Sequence, residues 1–249
     1  MSEIQLLVDF HQAGERQGPG SPEETRKALA LIGFDEKEYL KAADIGCGTG
    51  AQTITLAQQI NGHITAIDLF PEFLERLDQR ARELGLSNKI TTRKQSMDEL
   101  QFGEGELDLI WSEGAIYNIG FETGIKQWRR FLKTGGYLAV SELSWISGSR
   151  PAELEQYWQE AYPEIDTVSN KIGALERNGY TPVAHFILPP YCWIDHYFRP
   201  MQQRFPQFLE QHNYADAVKA FIENEQQEIR MYEQYKDYYS YGFYIARKG

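Results

Sequence analysis

Cysteine is scarce in this 249-residue chain: Cys47 and Cys192 make no disulfide framework, and their spacing is not that of a metal site. No cluster of acidic residues suggests a metal centre either, so none is expected. No apolar run approaches the length that spans a bilayer, and Met1-Ser2-Glu3-Ile4 lacks the basic-then-apolar opening of a signal peptide. The expectation is a cytoplasmic protein with no membrane partner. Basic charge is also short, 25 Lys and Arg against 36 Asp and Glu. The net charge of −11 argues against nucleic acid, whose affinity comes largely from neutralised phosphates. Arg129, Arg130 and Lys133 do cluster, but where a helix turns to solvent. Internal repeats, low-complexity tracts and Gly/Ser linkers are absent, and 42% hydrophobic residues are enough for a folded core.

What the chain does have is a glycine-rich turn, Asp44-Ile45-Gly46-Cys47-Gly48-Thr49-Gly50, between an apolar strand and a helix. Glycines on alternate positions let the backbone turn sharply and lie against a ligand, because no Cβ intervenes. Asp68 follows at the end of the next strand, Ile64-Thr65-Ala66-Ile67. A glycine turn paired with a carboxylate after the second strand is the layout of a nucleoside-binding α/β domain.

Around this turn, strands and helices alternate. Ser21, Pro22 and Glu24 start a helix with a capping box and a proline at its first position, and Gly33 stops it. Strands are expected at 39–45, 64–68, 90–93, 107–111 and 137–143. Between them run helices with apolar faces at Thr53, Leu56, Ala57 and Ile60, then at Phe73, Leu77, Ala81 and Leu84, and a third over 124–132. Such alternation implies a parallel sheet with right-handed crossovers. Beyond Leu143 the rhythm breaks into helices ending at Pro163 and Asn178, a strand at 181–188, a long amphipathic helix through Val218, Ile222, Ile229 and Tyr232, and a last alternating strand, Tyr239 to Ile245. Residues 1–20 show no clear periodicity. The expected fold is α/β, Rossmann-like and doubly wound: a mostly parallel seven-stranded sheet with an antiparallel last strand and a helical cap. One domain spans 1–249, with its core at about 21–145, 180–190 and 237–249 and its cap at about 1–20, 146–178 and 191–235.

Gly46, Gly48 and Ala51 also satisfy the dinucleotide pattern, so the short motif by itself leaves an NAD(P)-dependent oxidoreductase open. Four further features favour another ligand: Asp44 two residues before the first glycine, Ser96-Met97 after strand three, Ser112-Glu113-Gly114-Ala115 after strand four, and Leu132-Lys133-Thr134-Gly135-Gly136 before strand five. This ordered set resembles the class I S-adenosylmethionine-dependent methyltransferases, in the small-molecule branch similar to ubiquinone/menaquinone methyltransferases. It covers about residues 40–145; Thr134 stands where the family usually has proline.

The resemblance implies S-adenosylmethionine as cofactor, S-adenosylhomocysteine as product, and a small-molecule methyl acceptor attacked in line on the sulfonium methyl. By the same resemblance, Asp44 fixes the glycine loop, and Gly46, Cys47 and Gly48 pass beside the methionine part. Asp68 accepts from both ribose hydroxyls, Leu69 and Phe70 enclose adenine with Ser96 and Met97 at its edge, and Glu113 and Gly114 close the pocket below the sulfonium. Position in the chain, not the resemblance, suggests that Arg16, with His11, would fold over the cofactor from the N-terminal segment. A general base is needed only where the acceptor must lose a proton. Glu113 is the first candidate, with Tyr117 and His196 after it, whereas His185, inside an apolar strand, reads as a structural histidine. Cys47 reads as a small buried packer. Pro189-Pro190-Tyr191 follows the wrong strand to belong to a DNA-methylating site. Oligomeric state is open, a homodimer included, and so is a non-catalytic S-adenosylmethionine-binding protein.

Overall fold

The computed structural model describes residues 2–35 and 37–249. Its first strands are β1 (Leu40–Ile45), β2 (Gly62–Asp68), β3 (Ile90–Lys94), β4 (Leu107–Glu113) and β5 (Leu132–Trp145). Between them lie α3 (Ala51–Gln59), α4 (Pro71–Glu83) and α5 (Phe121–Trp128), after α1 (Glu3–His11) and α2 (Pro22–Ile32). The C-terminal part adds α6 (Ala152–Ala161), a two-residue β6 (Asp166–Thr167), α7 (Val168–Arg177), β7 (Tyr180–Ile187), α8 (Pro190–Trp193), α9 (Arg199–Gln211), α10 (Asp216–Tyr235) and β8 (Tyr239–Lys248). Strand order is β3-β2-β1-β4-β5-β8-β7, with β6 paired on β5. The pairs from β3 to β5 are parallel, and β8 runs antiparallel between β5 and β7.

Both faces of the sheet are covered, which explains why the central strands are apolar throughout rather than alternating. Leu109, Trp111 and Ala139 belong to the core under α3, α4 and the C-terminal helices. Their chain neighbours Ile110, Leu138 and Val140 face the core under α5 and α7. Because β1 pairs with β2 on one side and β4 on the other, the chain reverses its winding there. Such a switch point leaves a crevice at the C-terminal ends of the strands. The glycine turn leaves β1 into that crevice.

Several expectations need correction. The first twenty residues are not featureless: α1 opens with a capping box in which Ser2 and Gln5 cap each other's backbone N–H. Its buried Leu6, Val8, Phe10 and His11 do not fall on one simple helical stripe, and its apolar Ile4 and Leu7 are exposed. Leu84 is 52% exposed at the end of α4 instead of buried. Helix α5 ends at Trp128, and the Lys133-Thr134-Gly135-Gly136 stretch lies within β5 at a register shift, not in a loop before it. The Ser21 cap on Glu24 N–H is present at 3.1 Å, but the Glu24 carboxylate turns away to Tyr191 and Lys27. Helix α9 has no counterpart in the sequence reading, since Pro206 sits inside it.

The cap is held to the sheet by aromatic contacts. Trp193 stacks on Tyr232 of α10 at 4.3 Å, and its Nε1 donates to Ser240 Oγ of β8 at 3.0 Å. Truncating this side chain removes packing and one of the two hydrogen bonds of the serine, whose hydroxyl keeps Leu188 O. Trp193→Ala should destabilise the fold by roughly 3–5 kcal/mol, read as a lower midpoint in urea unfolding followed by circular dichroism.

Candidate active site

The glycine turn is built to bring backbone close to whatever fills the crevice. Gly46 N–H and Cys47 N–H both donate to Ile67 O, which pins the turn to β2. Gly46 has φ +72°, and a Cβ built there lies 2.4 Å from the Ala115 Cβ. At Gly48 (φ +54°) a Cβ meets Gln17 Oε1 at 2.1 Å. Beneath the turn, Asp44 is fully buried and accepts from Thr53 Oγ1 at 2.5 Å and Gln52 Nε2 at 3.4 Å. Burial raises its pKa to about 7 against the pull of the Thr53 hydrogen bond, and the nearby Glu113 charge adds to the rise. The side chain does not line the crevice. Its role is to brace the loop from below.

An N-terminal strap, residues 14–19, crosses above the turn. Gln17 clasps Thr49, accepting from its N–H at 2.8 Å and donating to its hydroxyl at 3.0 Å. Thr49 in turn donates to Gly14 O and Glu15 O. Arg16 reaches Glu113 at the end of β4 in a buried ion pair of 3.0 Å. Its Nη2 is buried with no hydrogen-bond partner.

Strap, turn and strand ends enclose a cavity of about 610 Å³, ample for a nucleotide-sized ligand. Asp68 lines it with one carboxylate oxygen accepting from Gly48 N–H at 2.8 Å and the other from Phe70 N–H at 3.1 Å. Burial raises its pKa and these N–H groups oppose the rise. Each oxygen keeps lone-pair capacity for a ligand hydroxyl. Leu69, 53% exposed, and Phe70 follow along one wall. Ser96 and Met97 stand opposite, with the Ser96 hydroxyl given to Asp98 and the Met97 carbonyl held by Trp128 Nε1. Of the twelve cofactor-site residues expected from sequence, all but the buried Asp44 line this one cavity.

The expected bases fare differently. Glu113 is not a free base: Oε1 accepts from Thr25 Oγ1 at 2.7 Å and Trp111 Nε1 at 2.9 Å, and Oε2 takes Arg16. It is a strut between β4, α2 and the strap. Tyr117 lines the cavity, but enclosure in protein raises its phenol pKa, which keeps it a neutral hydrogen-bonding group. His196 does not line the cavity; its ring packs edge-on to Tyr191 at 5.7 Å. His185 is exposed on edge strand β7, where burial alternates, rather than embedded in an apolar strand. Cys47 is buried and its thiol is pushed well up by that burial, so it stays protonated.

Sequence reasoning missed Gln17, Gln52, Asn118, Glu225 and Glu228 as lining residues. Glu225 was detectable: it occupies the apolar stripe of α10 between Ile222 and Ile229, where a charge is out of place. Gln17 carried no such signal.

Residues 42–136 match the family model described as a methyltransferase domain. The whole chain superposes on a SAM-dependent methyltransferase from Geobacter sulfurreducens crystallised with S-adenosyl-L-homocysteine, with a TM-score of 0.85, 17% identity and 98% of each chain covered. The chain thus carries a methyltransferase domain at residues 42–136. YjhP from E. coli has the same fold, with a TM-score of 0.86 at 18% identity, covering 98% of this chain and 100% of that one. The chloroplastic tocopherol O-methyltransferase of Arabidopsis thaliana is 24% identical over 221 residues, which are 88% of this chain and 58% of that protein. The chain thus spans little more than half of that relative.

In this methyltransferase fold the Asp44 brace has a measurable signature. A carboxyl that holds its proton to about pH 7 when folded, against an ordinary value of 3.8, binds more protons in the native state between those limits. Its contribution to stability is therefore full below about pH 4 and is lost as pH rises toward 7, at about 1.4 kcal/mol per tenfold difference in proton affinity. Asp44→Asn should make the stability profile flatter across pH 4–7 than that of the wild type, measured by urea unfolding at each pH. Equal slopes would show that Asp44 is ionised in the native state.

Proposed function

We propose that the chain is an S-adenosylmethionine-dependent methyltransferase acting on a small-molecule acceptor. When bound, S-adenosylmethionine supplies an electrophilic sulfonium methyl to an acceptor atom attacking in line, and leaves as S-adenosylhomocysteine. One observation carries the reading. The cavity over the glycine turn offers an acceptor-only carboxylate at Asp68 and an unpartnered guanidinium nitrogen at Arg16, while the turn's own N–H groups are already taken. Gly48 N–H is held by Asp68, Thr49 N–H by Gln17, and Gly50 N–H by Cys47 O. A dinucleotide needs those N–H groups for its pyrophosphate. A ribose and an amino-acid carboxylate do not.

The residues therefore have distinct duties. Asp68 takes the ribose hydroxyls, and Leu69, Phe70, Ser96 and Met97 enclose the base. Arg16 Nη2 takes the methionine carboxylate, and Gly46, Cys47, Gly48 and Gly114 leave room for the chain. Asp44 and Glu113 hold the loop and the strap and do not touch the acceptor. Because the methyl donor is intrinsically reactive, the protein contributes mainly orientation and exclusion of water. Tyr117 is the residue of the three expected bases that faces the acceptor space, as a hydrogen-bond donor. A cytoplasmic location belongs to the same proposal, as does the lack of a nucleic-acid partner, which rests on the acidic balance of the sequence. The chloroplastic address of the Arabidopsis relative is that protein's own.

Calorimetric titration of the protein, stripped of any co-purified nucleoside, tests the reading. S-adenosylmethionine and S-adenosylhomocysteine should bind saturably, and Asp68→Ala should weaken both at least tenfold, about 1.4 kcal/mol. Binding of NAD or NADP in their place would turn the chain into an oxidoreductase. Cofactor binding with no acceptor turned over in a broad methylation screen would instead support a sensor.

A further inference from the structure

The end of the cavity beneath the cap has a different character from the nucleoside end. Glu225 and Glu228 project into it from α10, one turn apart, and neither has a hydrogen-bond or ion-pair partner among the described residues. Glu225 Oε2 is buried and unsatisfied. Enclosure pushes both carboxyl pKa values up to about 7; the neighbouring Glu228 charge adds to the rise at Glu225, and Arg204 offsets part of it there. Arg204 is turned elsewhere: its guanidinium lies 4.9 Å over the Phe10 ring and its Nη1 donates to Pro200 O.

A second group points the same way. His11 lines this end from α1, is only 5% exposed, and has a buried Nδ1 without a partner. Burial, with the Arg204 charge behind it, lowers its pKa to about 4, so it is a neutral imidazole near pH 7 and does not neutralise the carboxylates. Around them stand aromatic rings: Tyr117 and Tyr197 line the cavity, and the Glu228 charge also reaches Tyr157, Tyr239 and Tyr241. Ile4 and Leu7, 63% and 40% exposed, form an apolar lip on the α1 side.

Carboxylates left unpaired in an enclosed space are costly until a cation joins them. Aromatic faces add attraction for the same kind of charge. We infer that the Glu225–Glu228 end is the acceptor subsite, and that it selects a small organic molecule with a protonated amine next to an apolar body. The apolar body would rest on Ile4 and Leu7, the cation between the two carboxylates and the tyrosine rings, and the imidazole of His11 would accept an N–H. This rests on the methyltransferase reading, since it is the bound nucleoside that makes this end an acceptor site.

The test uses protein saturated with S-adenosylhomocysteine, so that cofactor binding is verified first; its failure would sink the methyltransferase reading itself. Phenethylamine and tyramine are then titrated against their uncharged alcohols, 2-phenylethanol and tyrosol, and against phenylacetate. The amines should bind at least tenfold more tightly than the alcohols, with phenylacetate weakest. In the Glu225→Gln/Glu228→Gln double variant, and in part in each single variant, amine affinity should fall to the level of the alcohol while S-adenosylhomocysteine still binds. Amines binding no better than alcohols to the wild type, or not at all, overturns the inference, as does an amine preference that survives in the double variant. The wild-type ranking decides the matter even where the double variant does not fold.

Discussion

One carboxylate closes the cavity. Glu113 stands at the end of β4 and gathers donors from three places: Trp111 on its own strand, Thr25 on α2, and Arg16 on the strap. Arg16 and Glu113 side chains are 6% and 4% exposed, so removing either partner strands a buried charge, at a cost of about 3–5 kcal/mol. The strap is also tied down by Gln17 on Thr49 and His11 O, by the Thr49 hydroxyl on Gly14 O and Glu15 O, and by Arg80 on the Thr49 and Glu15 carbonyls. Without the strap, the glycine turn would open to solvent, whereas α1 would keep the packing of Phe10 on Phe205 and Phe208.

The same contacts decide between two roles for Glu113. A general base needs a free lone pair directed at the acceptor and must release its existing partners to take a proton. With three donors within 3.0 Å, Glu113 meets neither condition. What it does provide is position. By holding one guanidinium nitrogen of Arg16, it leaves the other without a partner at the cavity wall, in the place where an anionic ligand group is worth most. An ion pair that looks purely structural thus orients a binding group.

The sheet and the nucleoside end were legible because their signals are local. Asp44, Gly46, Gly48 and Thr53 fall within ten residues, and Asp68 needs only the next strand; the strand order then brings them to one switch point. The expected Rossmann-like sheet with an antiparallel final strand is present, the two-residue β6 being an addition on β5. Beyond the sheet, α6, α7 and α10 were legible as helices, but how the cap packs was not, because its contacts are distant in sequence. Trp193 meets Ser240, Tyr191 meets Glu24 167 positions away, and His212 meets Asp9 from 203 positions away. No window of sequence carries such pairings. Pro206 concealed α9, and α1, with Leu6, Val8, Phe10 and His11 buried but Ile4 and Leu7 exposed, lacks the one-sided apolar stripe by which a surface helix is recognised.

This division between local and distant signals follows the division of chemical labour. In the nucleoside half, the braces are satisfied: Asp44 has Thr53 and Gln52, and Glu113 has three donors. That half can be rigid, because its ligand is the same in every turnover. In the cap half, Glu225, His11 and Arg204 each keep a buried polar atom without a partner. Fully paired, those groups would rigidify the cap and add stability; unpaired, they cost stability in the free protein. The stripe of α10 shows where that cost falls, since Ile222 and Ile229 on either side of Glu225 are 5% and 3% exposed, and an apolar residue at that turn would have packed with them. Polar groups held open in an otherwise well-packed cap fit the proposed acceptor end, where a cationic partner would satisfy them.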